Sequence, residues 1–204
     1  MDRIAGRRGV YPGSFNPLTV AHLEIAAAAR EQCRLDAVVL AVSRVALAKE
    51  TVVRPSLEDR VGVLERAAAA RPWLDVLVTD DQLVADIAEP FDVVIMGADK
   101  WAQVCDPSFY DGSEERCRQT LARLPTVAVA PRPPFEIPAG VVTLEVDHEA
   151  SSTAVRAGRT EWMAPEAAEF DAATGAWSDP ERYERWLSSS RTTGAEPMDR
   201  STHT

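Results

Sequence analysis

Residues Tyr11-Pro12-Gly13-Ser14-Phe15-Asn16-Pro17-Leu18-Thr19-Val20-Ala21-His22 hold the first grouping in this chain whose types and spacing could do chemistry. Gly13 and two prolines make a sharp, rigid connection, after which a helix can start. Thr19 suits the N-cap position, which puts His22 in the first helical turn. Three residues apart on a helix, the two side chains face the same way. With the free N–H groups of that turn and the positive end of the helix dipole, they would form an anion site with two donor side chains. The plain alternative is a capped helix carrying an incidental histidine. This segment alone does not decide between them.

Such a site needs a scaffold, and the pattern of apolar runs supplies one. Short runs occur at Gly9-Val10-Tyr11, Ala37–Val42, Val76-Leu77-Val78, Val93–Met96, Val127–Ala130 and Val141–Leu144. The second and fourth are continuous rather than alternating, as strands covered on both faces are. Helical patterns lie between them at Val20–Arg30, Leu57–Ala70, Leu83–Ala88 and Glu114–Leu124, with Pro55-Ser56 and Asp59 as an imperfect capping box before the second. Six strands separated by helices read as βαβ units. The expected fold class is therefore α/β, a doubly wound parallel sheet of Rossmann-like type. Pro131-Arg132-Pro133-Pro134 reads as a stiff loop before the last strand, and two short C-terminal helices are expected at Pro165–Phe170 and Glu181–Leu187. One domain over residues 1–187 is expected, with a helical portion from about 157 and a disordered tail from Ser188 to 204.

Composition narrows the classes of function. The 204 residues carry 22 Lys+Arg against 32 Asp+Glu, a net charge of −10, and 46% are hydrophobic. That balance argues against holding duplex nucleic acid by phosphate neutralisation, but leaves room for a phosphate ligand held by backbone N–H groups and a few local cations. Cys33, Cys105 and Cys117 are odd in number and contain no C-x-x-C, and the histidines are only His22, His148 and His203. Neither a disulfide scaffold nor a metal site is indicated. Charges at Asp2, Arg3, Arg7 and Arg8 precede no apolar leader, and no run of about 18 apolar residues follows. The expectation is a cytoplasmic protein with no membrane and no nucleic-acid partner.

Three segments also carry a family resemblance. Gly13-Ser14-Phe15-Asn16-Pro17-x-Thr19-x-x-His22 resembles the ATP-binding signature of the nucleotidyltransferase superfamily with the HxGH-type motif. That superfamily includes the nicotinate and nicotinamide mononucleotide adenylyltransferases and phosphopantetheine adenylyltransferase. Gly97-Ala98-Asp99 is similar to the family's G-x-D, and Ser151-Ser152-Thr153-Ala154-Val155-Arg156 to its ISSTxxR phosphate motif. The likeness covers roughly residues 8 to 170. Each segment begins where an apolar run stops, so all three can reach one crevice at the carboxyl ends of the strands.

The resemblance implies attack by an acceptor phosphate oxygen on the α-phosphate of ATP, with pyrophosphate leaving and no protein nucleophile. His22 is then a donor to the α- or β-phosphate and Thr19 holds the same region. Gly13 and the Ser14 and Phe15 N–H groups line the nucleotide site. Ser151, Ser152 and Thr153 serve the β- and γ-phosphates, with Arg156 as the cation for the leaving group. Gly97 and Asp99 meet the nucleotide, Asp99 at a ribose hydroxyl unless it only caps a helix. Lys49 is the lysine that would bridge the phosphates, with Arg44 as its competitor in the same loop. Trp101, Phe109 and Tyr110 are options for a ring-stacking wall, against plain core packing. Mg²⁺ is implied because ATP carries it, with no dedicated carboxylate cage.

The implied partners are ATP and a small phosphate-bearing acceptor, best read as a pyridine mononucleotide, with a homo-oligomer left open. The chain departs from the pattern at Thr19, where many bacterial members have histidine, at Ala21, where they have glycine, and at Ala150, where isoleucine is usual. The pantetheine-phosphate and eukaryotic mononucleotide enzymes share the threonine. Ala21 is the feature that favours a nucleotide-binding protein without transfer. A cytidylyltransferase usually shows an RTxGxST-like motif where this chain has Glu149-Ala150-Ser151-Ser152-Thr153. A class I aminoacyl-tRNA synthetase fragment is disfavoured by the length, the acidity and the lack of a KMSKS-like segment.

Overall fold

The computed structural model describes residues 6–44, 54–147 and 149–193. Six parallel strands form one sheet in the order β3-β2-β1-β4-β5-β6. They are β1 (Arg8–Pro12), β2 (Ala37–Ser43), β3 (Leu74–Thr79), β4 (Val93–Gly97), β5 (Thr126–Ala130) and the short β6 (Val142–Thr143). Each expected apolar run became a strand, within a few residues at its ends. The chain winds outward from β1 to β3, returns to the other side of β1 as β4, and winds outward again. Strand order therefore reverses between β1 and β4.

Alternation along the strands divides the core in two. Val38, Leu40, Val42, Val93 and Ile95 belong to one buried cluster, while Val39, Ala41, Val94 and Met96 belong to the other. Successive strand residues point to opposite faces, so continuous apolar runs are what a doubly covered sheet requires. Helices α1 (Val20–Gln32) and α2 (Leu57–Ala69) cover the first face, joined by α7 (Pro165–Thr174) and α8 (Pro180–Thr193). The short helices α3 (Val84–Ala88) and α4 (Ala98–Val104), with α5 (Glu114–Ala122), cover the second. A further short helix, α6 (Ser152–Arg156), follows β6.

Local signals explain the starts. Thr19 and Ser56 are the N-caps of α1 and α2, each accepting from the backbone N–H three residues on, from His22 and Asp59. The C-terminal end differs from expectation: α8 continues through Thr193, six residues beyond Leu187. Ser188 and Ser189 return their hydroxyls to the helix backbone at Glu184 and Trp186. The hydroxyls are thereby satisfied within the helix, and the run of small polar residues carries no apolar period from which the extension could be read. Among the described residues, no helix is long and apolar enough to cross a membrane.

Candidate active site

A cavity opens at the carboxyl end of the sheet, across the reversal between β1 and β4. Its wall takes Tyr11 and Pro12 from the end of β1, then Gly13, Ser14 and Phe15 from the loop that follows. Helix α1 adds Ala21, His22 and Ile25. The β4–α4 junction adds Met96, Gly97, Asp99 and Lys100, and the end of β5 adds Ala130, Pro131 and Arg132. Val146 and residues 150–153 close the ring. The three motif-bearing segments thus meet in one place, as strand ends at a reversal allow.

Thr19 and His22 form a reciprocal capping box. The Thr19 oxygen accepts from the His22 backbone N–H, and His22 Nδ1 accepts from the Thr19 backbone N–H at 3.0 Å. The Thr19 hydroxyl lies 2.8 Å from the same Nδ1. An Nδ1 that accepts carries no proton, so the imidazole proton is on Nε2. Phe15 and Tyr11 pack on the ring, with centroids 5.1 and 6.0 Å away. Burial, and secondarily the positive charge of Arg132, push the His22 pKa down to about 4. At neutral pH this side chain is a fixed, uncharged N–H donor.

The Thr19 side chain is buried and turned to His22, and it is not among the residues that line the cavity.

The loop after β1 is shaped by packing against its own ring. Phe15 lies in the left-handed region, with φ of 43°, and its ring covers Gly13, where a Cβ would come within 2.9 Å of Phe15 Cζ. Among the described residues, neither the Ser14 nor the Phe15 backbone N–H has a hydrogen-bond partner. Both residues line the cavity, so two free donors border it beside His22.

On the opposite wall, Gly97 begins α4 and Asp99 stands in its first turn. A Cβ on Gly97 would lie 2.5 Å from Asp99 Oδ1, so the missing side chain leaves room for that carboxylate. Burial raises the Tyr11 pKa well above its ordinary value, with Arg132 opposing and Asp99 adding to the shift. Tyr11, Asp99 and Arg132 therefore share the centre of the cavity electrostatically. Arg132 also donates to the Ala150 carbonyl at 3.3 Å, which fixes its guanidinium beside residues 150–153. Sequence reasoning placed Arg132 in the loop before the last strand without singling the residue out. The placement of the loop directly after β5, at the same sheet edge, was the usable signal.

The last motif divides its duties. Ser151 is the N-cap of α6, accepting from Ala154, and Ser152 donates its hydroxyl to the Pro17 carbonyl at 2.8 Å. Ser152 thus ties the last motif to the first, leaving its own hydroxyl engaged. Arg156 does not line the cavity; it donates to the Asn16 carbonyl and reaches Thr153 Oγ1 at 3.4 Å.

Other expected contacts fall elsewhere. Arg44, just after β2, forms an ion pair with Asp80, both largely exposed. Trp101 packs against the second core cluster, and Tyr110 is buried with its hydroxyl donated to the Val104 carbonyl at 2.9 Å. Phe109 is exposed, and none of these three rings lines the cavity. Core packing thus accounts for Trp101 and Tyr110. Lys49 lies outside the described residues.

Parallel strands with a crevice at the reversal point define a doubly wound α/β protein whose ligand site lies at the carboxyl ends of the strands. The family model described as cytidylyltransferase-like matches residues 10–158, and the chain belongs to that family, within the nucleotidyltransferase superfamily. A relative described as a probable nicotinate-nucleotide adenylyltransferase, from Syntrophotalea carbinolica (strain DSM 2380 / NBRC 103641 / GraBd1), is 38% identical over 72 residues. The match covers 35% of this chain and 32% of that protein, so it spans about a third of the relative's length.

Proposed function

We propose that the protein transfers the AMP moiety of ATP to a small phosphate-bearing acceptor, releasing pyrophosphate, with nicotinate or nicotinamide mononucleotide as the acceptor. The observation that carries this reading is the neutral His22 donor, with its proton on Nε2, in a cavity shared by all three motif-bearing segments. The partial likeness to a probable nicotinate-nucleotide adenylyltransferase supports the choice of acceptor.

An acceptor phosphate oxygen forms the new bond to the α-phosphorus, and the bond from that phosphorus to the bridging oxygen of pyrophosphate breaks. Charge spreads over the transferring phosphoryl oxygens as this happens. The protein's task is to hold the reactants in line and to aim donors at those oxygens. His22 Nε2–H and the N–H groups of Ser14 and Phe15 supply such donors. Because His22 is already neutral and its Nδ1 is occupied, it donates a hydrogen bond and removes no proton. Asp99 would meet a ribose hydroxyl. Mg²⁺ would enter with ATP as part of the substrate, carried by phosphates and water. Asp99 is the one carboxylate among the residues lining the cavity, and the described residues hold no cluster that could cage an ion.

The test is pyrophosphate release with ATP and Mg²⁺ against a panel of nicotinate mononucleotide, nicotinamide mononucleotide, phosphopantetheine and small alcohol or sugar phosphates. Turnover with a pyridine mononucleotide is expected. Turnover with phosphopantetheine alone would move the protein to the pantetheine-type enzymes, and CTP outperforming ATP would make it a cytidylyltransferase. Tight ATP binding without turnover on the whole panel would end the transferase reading.

A further inference from the structure

We propose that Trp177 is a positioning residue for the loop at residues 14–17, acting through Asn16. The segment between α7 and α8 is then a working part of the cavity, although it lies outside the residues that the family model matches, 10–158. The kinetic consequence rests on the transferase reading above; the structural consequence does not.

The loop is pinned from outside at successive residues. The Ser14 carbonyl accepts from Arg60 of α2 at 2.7 Å, the Asn16 carbonyl from Arg156, and the Pro17 carbonyl from Ser152. The Leu18 carbonyl accepts from the Ala164 N–H at 3.0 Å. These bonds hold backbone oxygens. Trp177 holds a side chain: its indole Nε1–H donates to Asn16 Oδ1 at 2.6 Å, with both residues buried, while Asn16 Nδ2 makes a longer bond of 3.5 Å to the Arg54 carbonyl. An indole N–H can only donate, so it fixes which end of the Asn16 amide faces it. The neighbouring Phe15 occupies a conformation that side-chain-bearing residues rarely adopt. A loop of that shape needs such external ties if it is to keep its place in the cavity wall.

Trp177 is itself aimed by a built turn. The buried Asp171 carboxylate accepts from the Trp177 N–H at 2.7 Å and the Ser178 N–H at 3.0 Å. Gly175 ends α7 with φ of 77°, and a Cβ there would meet the Asp179 carbonyl at 2.7 Å. Phe170 packs edge-on against the indole, with centroids 6.0 Å apart. A tryptophan needed only for bulk would not require its N–H to find the motif loop.

Trp177→Phe keeps most of the ring volume and removes the donor, leaving a buried acceptor on Asn16 without a partner. Trp186→Leu is the comparison, because Trp186 packs in the same helical pair, on Phe170 and Tyr183. In the parent protein the backbone ¹⁵N order parameters of residues 14–16 should be near 0.85; in Trp177→Phe they should fall below about 0.6. kcat for pyrophosphate release should drop about tenfold, with the ATP KM changing less. Trp186→Leu should lower Tm at least as much yet leave both the loop and kcat unchanged. If loop motion and kcat follow Tm equally in both variants, Trp177 is packing and the proposal is overturned.

Should Trp177→Phe fail to fold, the unmodified protein decides. Added pyrophosphate should shift the Trp177 indole N–H resonance and leave that of Trp186 in place; no shift at Trp177 overturns the proposal. If no acceptor in the panel turns over, the transferase reading fails while the order parameters and the indole shift still judge Trp177.

Discussion

At the scale of single residues, the site is defined by a histidine that donates at a pH where histidines often titrate. Its surroundings explain this: burial disfavours the charged ring, Arg132 disfavours a second positive charge, and the Thr19 N–H occupies Nδ1. In the ligand-free protein, the imidazole resonance that disappears in His22→Ala should therefore show no inflection near 6.5 and should titrate near pH 4. Bound pyrophosphate should raise that value, since anions favour the imidazolium. An inflection near 6.5 without ligand would refute the burial that holds this ring neutral. The same shift has a stability consequence. The unfolded chain takes up this proton near pH 6.5 and the folded chain only near 4. The folded state is thus weakened as pH falls across that window. His22→Ala should lower kcat by about 10²–10³, the cost of removing one preorganised donor in a comparable site. Thr19→Val should lose the cap, at about 1 kcal/mol, and lower Tm by a few degrees in melting experiments.

At the scale of elements, the β4–α4 junction shows what a short helix can place. α4 starts directly at the strand end, with Gly97 as its N-cap and no side-chain cap bond. Gly97→Ala should push the Asp99 carboxylate out of its position, because the new methyl and Oδ1 cannot both fit. We expect Tm within a few degrees of the parent and ATP binding weakened about tenfold in calorimetry, with Asp99→Asn showing a similar loss. Unchanged binding in Gly97→Ala would remove Asp99 from the nucleotide contacts. This junction also marks the border of what was legible beforehand. The strands and the Thr19 and Ser56 caps could be read because apolar runs and cap residues act over a few positions. The seven residues of α4 were not read as a helix: the cap position falls on Gly97, which has no side chain to bond, and seven residues are too few for an apolar stripe to stand out. The inward turn of Thr19 was missed because a cap bond and a ligand bond make the same demand on a hydroxyl, and only burial shows which prevails. Arg156 donates to the backbone carbonyl of Asn16, 140 residues earlier. No local pattern encodes a partner so distant.

At the scale of the whole molecule, a net charge of −10 surrounds a cavity suited to a polyanion. The two are compatible because long-range repulsion is screened within about 10 Å at moderate salt, while donors inside the cavity act at contact. The ligand must then recover locally what the surface field opposes, which makes its contacts strongly coupled to folding. The cavity walls come from both sides of the β1–β4 reversal, so a bound nucleotide ties together the two halves of the sheet. At about 100 times its Kd, ATP should add about 2.7 kcal/mol to stability, which for a chain of this size is roughly a 5–11 °C rise in Tm. Thermal melts should show that rise with ATP, little with adenosine, and none with duplex DNA, whose phosphates meet only the acidic surface. His22→Ala, whose ligand-free Tm should fall a few degrees with the loss of its half of the capping box, should also lose much of the rise measured from that new baseline at the same ATP concentration. A rise of equal size with adenosine would place the binding energy on the base and sugar. The free N–H groups of Ser14 and Phe15, and the Nε2 proton of His22, would then have no anion to serve.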